Sequence, residues 1–553
     1  MKKVFLVVLF AVGILAAAWR FWPETKTAPT EQLTGAVSTT TGDLRGFVQD
    51  GLNVYLGIPY GEAPSGQRRF KAPEPRRRWD GVFDAFAFGP VCPQVYDSIE
   101  LDDPNEKTDN EDCLTLNVWA PAGGGDHKAV MVFIHGGGFV AGSSKSRLYH
   151  GDSLAKTGDV VVVSLNYRVG LPGFLDFSAI GGPDYADSAN NGLKDQLLAL
   201  QWVQDNIAAL GGDPQNVTVF GESAGGSSVA ALLGIEQPQR YFRRAIIMSG
   251  SPHHSAATSA AIAALIRDET GLAAPLLWKT LPAAAINYIN GQLYDAIGSP
   301  MSDLLFAPTY GPGNVMKRPA LEAAQQGLTK GIDLMIGTMG NEISYWSFYD
   351  TPDEQICDQT AAENIVTAID PGQAAQIRAL YDLYRQNPER SDYREGEVIL
   401  NIEDDYIFRT PALQLAEAQS QNGRTYVYRA EYPVNLPEQD CQDNRAPHGS
   451  DLPFVFGKSG EKAGTDFLGL PENDQDTVVR QRLEQQMIAA WTNFAKTGDP
   501  NGPGLPEWPL FQPGSQPIMG FGIETRVENA PFYQEYQAML EYMQVFNLFD
   551  IFK

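Results

Sequence analysis

The 553-residue chain is poor in several of the residue types on which whole classes of function depend. Basic residues are few: 41 Lys and Arg stand against 67 Asp and Glu, a formal net charge of −26. Nucleic-acid binding needs a basic face, so this balance argues against that partner. An acidic surface instead favours solubility, or attracts cationic solutes. Cysteine is scarce too. Cys92, Cys113, Cys357 and Cys441 form no Cys-x-x-Cys motif and no Cys/His cluster, which speaks against a structural zinc site. An even number in an exported chain points to two disulfides, with three pairings open. Cys92 with Cys113 closes the shortest plausible loop, leaving Cys357 with Cys441. There is no internal repeat and no second composition regime. With 43% hydrophobic and 20% charged residues, the expectation is one large globular domain.

The apolar run "VFLVVLFAVGILAAA" at 4–18 has 15 residues, short for a comfortable membrane span. It follows a basic "MKK" and ends in small residues, the layout of a secretory signal over 1–18. Trp19, Arg20, Phe21 and Trp22 come next, and interfacial aromatics also suit an uncleaved anchor. No cysteine follows the run, which excludes a lipoprotein anchor. The chain is therefore expected to be secreted or periplasmic, with membrane anchorage only if the segment is retained. Residues 19–35 read as a polar linker rich in Pro and Thr, and 36–553 as the folded domain.

From 36 to 59, short β-rich runs broken by glycine predict a small leading sheet. Beyond it, apolar β-branched runs at 129–139, 160–168, 216–223, 245–251, 333–342 and 425–432 predict strands buried on both faces. Helical stretches lie between several of them. In "GLKDQLLALQWVQDNIAALGG" the residues Leu193, Leu197, Leu200 and Val203 share one face, and Gly211 stops the helix. Such alternation predicts an α/β fold, with a mostly parallel central sheet flanked by helices.

One junction carries chemistry. "TVFGESAGG" runs from a predicted strand through Gly-x-Ser-x-Gly into a helix, the context of a nucleophile elbow at Ser223. Gly221 and Gly225 leave room where side chains would collide across the turn, and the helix N-terminus points its positive end at the site. A serine hydroxyl needs a base. Six histidines are present: His127, His135, His150, His253, His254 and His448. In this topology the base comes last, after the final core strands, which selects His448. His253 and His254 could line the pocket, although a surface role suits them, as it does His127 and His150. His135 reads as structural. The acid should lie between Ser223 and His448 at a strand end, and Glu342 fits. Its rivals Asp404 and Asp405 read better as helix caps or anchors. The "HGGGF" stretch at 135–139 follows a strand and can present the amides of Gly137 and Gly138, with that of Ala224, to an oxyanion. Such a site needs neither metal nor organic cofactor, and its partner would be a small ester.

These residues resemble the type-B carboxylesterases, the family of cholinesterases and bacterial para-nitrobenzyl esterases. The resemblance runs over about 36–515 and rests on long motifs, among them "YLGIPYGEAPSGQRRFKAPEP", "EDCLTLNVWAP", "NYRVGLPGFL", "GGDPQNVTVFGESAGG", "PHGSDLPFVFG" and "WTNFAKTGDPN". It implies an α/β-hydrolase fold, a Ser223–Glu342–His448 triad and a serine carboxylic-ester hydrolase working through an acyl-enzyme. It also implies a first disulfide between Cys92 and Cys113, and a carboxylate at Glu222 that adds negative potential near the histidine. Lipase or acyltransferase chemistry could run on the same machinery, and a non-catalytic binding protein on the same fold would normally have lost a triad member. Three departures stand out. Where the family usually has Asp-Glu-Gly the chain has Asn341-Glu342-Ile343, and for Gly-x-Glu it has Gly449-Ser450-Asp451. The loop 93–112 contains eight carboxylates and no choline-binding tryptophan, which argues against choline esters. That loop either rims the pocket mouth, favouring cationic or polyhydroxylated substrates, or is simply solvated.

Overall fold

A computed structural model describes residues 29–94, 110–123, 127–251, 275–297, 306–345, 374–390, 393, 395–435 and 445–545. The 1–18 segment, most of the linker, loop residues 95–109, His253, His254, Cys357 and Cys441 lie outside them.

The strands are β1 (Val37–Thr39), β2 (Gly42–Arg45), β3 (Phe47–Gln49), β4 (Leu52–Pro59), β5 (Val82–Asp84), β6 (Thr115–Pro121), β7 (Lys128–Ile134), β8 (Val161–Leu165), β9 (Gly212–Glu222), β10 (Arg244–Met248), β11 (Asp333–Met339), β12 (Thr425–Ala430), β13 (Pro517–Phe521) and β14 (Arg526–Asn529). Eleven of them form one sheet in the order β14-β13-β12-β11-β10-β9-β7-β8-β6-β4-β3. From β8 across to β13 every neighbour is parallel, and the pairs outside that block are antiparallel. The small leading sheet is present as β1-β2-β5. β3 and β4 differ from expectation by joining the large sheet. Seven of the eight residues of β4 are buried, so the strand needs cover on both faces and finds it beside β6.

Side chains alternate between two apolar layers, as the period of a strand requires. Val130, Val132 and Ile134 of β7 face one layer, and Met131 and Phe133 face the other. Helix α1 (Asn191–Asn206) covers the first layer with Leu193, Leu200 and Val203, all buried. A short 3₁₀ turn follows it, and Gly211 at φ +89° ends the run in the left-handed region that only glycine enters at no cost. The opposite layer is covered by a helix over Asp474–Thr497, through Leu483, Met487, Trp491 and Phe494.

Two features of this architecture position a site. The chain places β8 on one side of β7 and β9 on the other, so the strand order switches direction there. A crevice opens at the carboxyl ends of strands on either side of such a switch. The loop after β8 is also pinned to α1 by a buried bidentate pair, Arg168 Nε and Nη2 to Asp195 at 2.8 and 2.7 Å. Loss of one partner from such a pair strands a buried charge, at a cost of about 3–5 kcal/mol.

Candidate active site

Ser223 sits at the carboxyl end of β9, immediately before helix α2 (Ala224–Leu233). Its backbone takes φ +58° and ψ −125°, a conformation costly for a residue with a side chain, and its amide is tied to Met248 O of β10 at 3.0 Å. The flanking glycines are required by contact. A Cβ on Gly225 would lie 2.0 Å from Ile134 O, and one on Gly221 would lie 2.5 Å from the Gly225 backbone and 2.8 Å from the same Ile134 oxygen. The elbow is thus folded tightly against the end of β7.

β7 itself leads into the glycine loop. Gly137 (φ +97°) accepts the amides of Val140 and Ala141 at 2.9 Å, and a Cβ there would meet Ala141 O at 2.4 Å. Among the described residues neither the Gly137 nor the Gly138 amide donates to a backbone carbonyl of a turn or loop. Ala224 occupies the first position of α2, where amides lack intrahelical acceptors. His135 lies under this loop, stacked on Tyr167 with ring centroids 4.4 Å apart and its Nδ1 2.9 Å from Gly136 O. Burial pushes its imidazole down to about 4, so it is a neutral packing residue at pH 7.

His448 reaches the same place from the loop after β12. Its Nδ1 lies 2.6 Å from Glu342 Oε2, and its Nε2 lies 3.3 Å from Glu222 Oε1, in the residue before Ser223. Glu342 follows the end of β11, is 1% exposed, and accepts the Met339 amide on its other oxygen at 2.8 Å. The imidazole is enclosed by rings, with Phe408 at 5.2 Å and Tyr345 at 5.8 Å between centroids. Serine elbow, glycine loop, histidine and buried glutamate therefore meet at the carboxyl ends of β7, β9 and β11.

A carboxylesterase family model matches residues 34–539. The chain belongs to the carboxylesterase family. Within it, the chain is 36% identical over 508 residues to the para-nitrobenzyl esterase of Bacillus subtilis, covering 91% of this chain and 98% of that one. It is 32% identical over 498 residues to the phenmedipham hydrolase of Pseudarthrobacter oxydans, covering 88% and 94%. A solved thermophilic PNB esterase superposes with a TM-score of 0.79 at 34% identity, over 92% of this chain and all of that one. The fold is the α/β-hydrolase fold, and the protein is a carboxylesterase acting on small-molecule esters.

The remaining expectations for this carboxylesterase resolve locally. Cys92 and Cys113 are bridged, with Cα atoms 5.0 Å apart and both residues buried. At the end of the acidic loop, Glu111 pairs bidentately with the buried Arg69 at 2.6 Å, so this carboxylate has a structural partner. Asp404 and Asp405 lie at the junction of helix α3 (Glu395–Asp404) with a π turn over Asp405–Arg409, away from the imidazole edge that Glu342 occupies. Asp405 pairs with Arg409 and accepts the Tyr384 hydroxyl, both at 2.5 Å. Asp404 accepts the Ile343 amide at 2.7 Å. Asp451, where the family usually has glutamate, is fully buried and accepts the Tyr428 hydroxyl at 2.8 Å. Burial pushes its carboxyl up to about 7. Nothing in the linear pattern pointed to Phe408 or Tyr345 as neighbours of His448. Both belong to segments that only tertiary folding brings there.

Proposed function

We propose that Ser223 is the nucleophile of this carboxylesterase, His448 its general base and acid, and Glu342 the carboxylate that orients the imidazole. The bond of 2.6 Å between Glu342 Oε2 and His448 Nδ1 carries the reading. It commits the Nδ1 proton to the glutamate and leaves Nε2, on the Glu222–Ser223 side, to take a proton from Oγ. Oγ then attacks the ester carbonyl carbon. The oxygen that becomes negative is received by the amides of Gly137, Gly138 and Ala224, each worth about 3 kcal/mol of barrier in comparable sites. Collapse of the tetrahedral species breaks the bond to the alkoxy oxygen, and His448 returns its proton to the departing alcohol. Water repeats the sequence on the acyl-enzyme and releases the acid. Glu222, at 3.3 Å from Nε2, adds a negative potential that favours the imidazolium of both steps.

The same reading takes 36–553 as one catalytic unit and 1–18 as an export signal. The Cys92–Cys113 disulfide supports export, since such bonds persist in oxidising compartments. Among the described residues no helix is long and apolar enough to cross a membrane. The deciding experiment is hydrolysis of p-nitrophenyl esters from acetate to decanoate, with Ser223→Ala as control. Activity in the wild type that vanishes in the variant is expected. A folded variant that keeps its rate would overturn the assignment of Ser223.

A further inference from the structure

We infer that Asp404 is a positioning residue for Glu342: its carboxyl clamps the peptide that follows the acid and so holds the acid on His448. The inference rests on the triad reading above. Glu342 lies in a turn between β11 and residues that carry no strand, so its side-chain direction depends on what fixes that turn. α3 does so on both sides. Asn401 Nδ2 donates to Asn341 Oδ1 at 3.3 Å, before the acid, and Asp404 Oδ1 accepts Ile343 N at 2.7 Å, after it. Positions 401 and 404 are three apart on one helix and present a single face to the turn. Ile343 completes the contact by packing with Leu400 and Phe408, and Phe408 also lies against the His448 ring.

The departure from the family pattern acquires a reason here. A glycine after the acid has no side chain for a helix to grip, whereas this chain has a buried isoleucine and a carboxyl for its amide. Asp404 is 1% exposed, so water does not compete for the bond. The groups facing it are Glu342, Asp405 and Arg409. Burial, with the Glu342 and Asp405 carboxylates, outweighs the Ile343 amide and Arg409 and holds its carboxyl well above the usual carboxylate range. Among the described residues no group donates to Oδ2. Asp404 Oδ1 serves the Ile343 amide as an acceptor, a role that an amide oxygen can fill as well.

The test uses the full chain, p-nitrophenyl acetate, and active sites counted with a fluorophosphonate. Asp404→Leu removes the acceptor. Displacing a reacting group by about 1 Å costs on the order of 100-fold, so kcat per active site should fall ~10–100-fold with KM within about twofold. The acid limb of the pH profile should move to lower pH, because an imidazolium that has lost its carboxylate gives up its proton more readily. Asp404→Asn keeps an acceptor and should recover all but about threefold of the loss. On a Glu342→Gln background Asp404→Leu should cost less than about twofold, since its effect runs through Glu342. A lower melting temperature with kcat per active site and acid limb unchanged overturns the inference, as does a cost undiminished on the Gln background. Should Asp404→Leu not fold, Asp404→Ala carries the same expectations. A Glu342→Gln variant that retains wild-type rate overturns the triad reading itself, whereas a crippled Glu342→Gln beside a silent Asp404→Leu overturns the inference alone.

Discussion

Around Ser223 the chain is held by the absence of side chains, whereas around Glu342 and His448 it is held by polar ones. In the first region Gly221 and Gly225 let β9, α2 and β7 approach until a single Cβ would lie 2.0 Å from Ile134 O. Gly226 continues the pattern, since a Cβ there would stand 2.7 Å from Met248 O. In the second region Glu342 and His448 are 106 residues apart, and the bond between them is supported from Met339 N on one side and α3 on the other. Steric fit is all-or-none and local in sequence. A polar clamp is graded and long-range. The nucleophile half should therefore break at any added atom, and the acid–base half should weaken in proportion to the oxygen or charge removed.

The largest expected effect serves as the reference for both halves. Ser223→Ala should lower kcat by on the order of 10⁶, as removal of the nucleophile does in another serine hydrolase. p-Nitrophenyl ester hydrolysis by purified protein measures it. Glu342→Gln should lower kcat by about 10³–10⁴ with KM little changed, because the amide favours the wrong imidazole tautomer while keeping the shape. A loss below tenfold would mean that Glu342 does not orient His448. Gly225→Ala adds a single methyl group on the other side. The elbow must shift by about 1 Å to admit it, so kcat should fall by at least about 100-fold, or the protein should fail to fold. Gly460→Ala, with nothing within 4 Å of its Cβ, is the control and should be indistinguishable from wild type. A fully active Gly225→Ala would show that the elbow is not held by backbone contact.

The same contrast explains what could be read from the linear chain. The strands at β7, β8, β9, β10, β11 and β12, the elbow and the glycine loop were legible because each is written in consecutive residues: β-branched runs, then glycines where backbones must touch. Glu342 was legible as a strand-end acid, and His448 by its place in the chain order. The grip of α3 on the Glu342 turn was not. Asp404 looks like any acid near a helix end, and its partner is an amide 61 residues away. The move of β3 and β4 into the large sheet was hidden for a similar reason. A short run does not state which neighbour its edge will meet, and β4 pairs with β6, which begins 56 residues after β4 ends, from Pro59 to Thr115. Local sterics leave a local signature, and long-range polar contacts leave almost none.

Each half also buries a titratable group whose proton affinity is shifted, His135 in one and Asp451 in the other, and their pH dependences run in opposite directions. His135, under the glycine loop, is pushed from its ordinary 6.5 to about 4. Its neutral form is the folded one, so the stability it supports is complete above 6.5 and is lost as pH falls towards 4. Asp451, three residues after His448, is pushed from 3.8 to about 7. In the unfolded chain it has released its proton by pH 5, while in the folded protein it still holds one. Stability is therefore highest below 3.8 and declines as pH rises towards 7. Asp451→Asn keeps an acceptor for the Tyr428 hydroxyl and removes the titration. Relative to wild type, the variant should be more stable at pH 8 than at pH 5 by about 1–3 kcal/mol, which thermal melts would show as a shift of a few degrees. A melting difference that stays constant from pH 5 to 8 would mean that Asp451 is already ionised in the folded protein. The acid–base half would then hold an ionised, fully buried Asp451 three residues from His448, and graded polar support would no longer describe it.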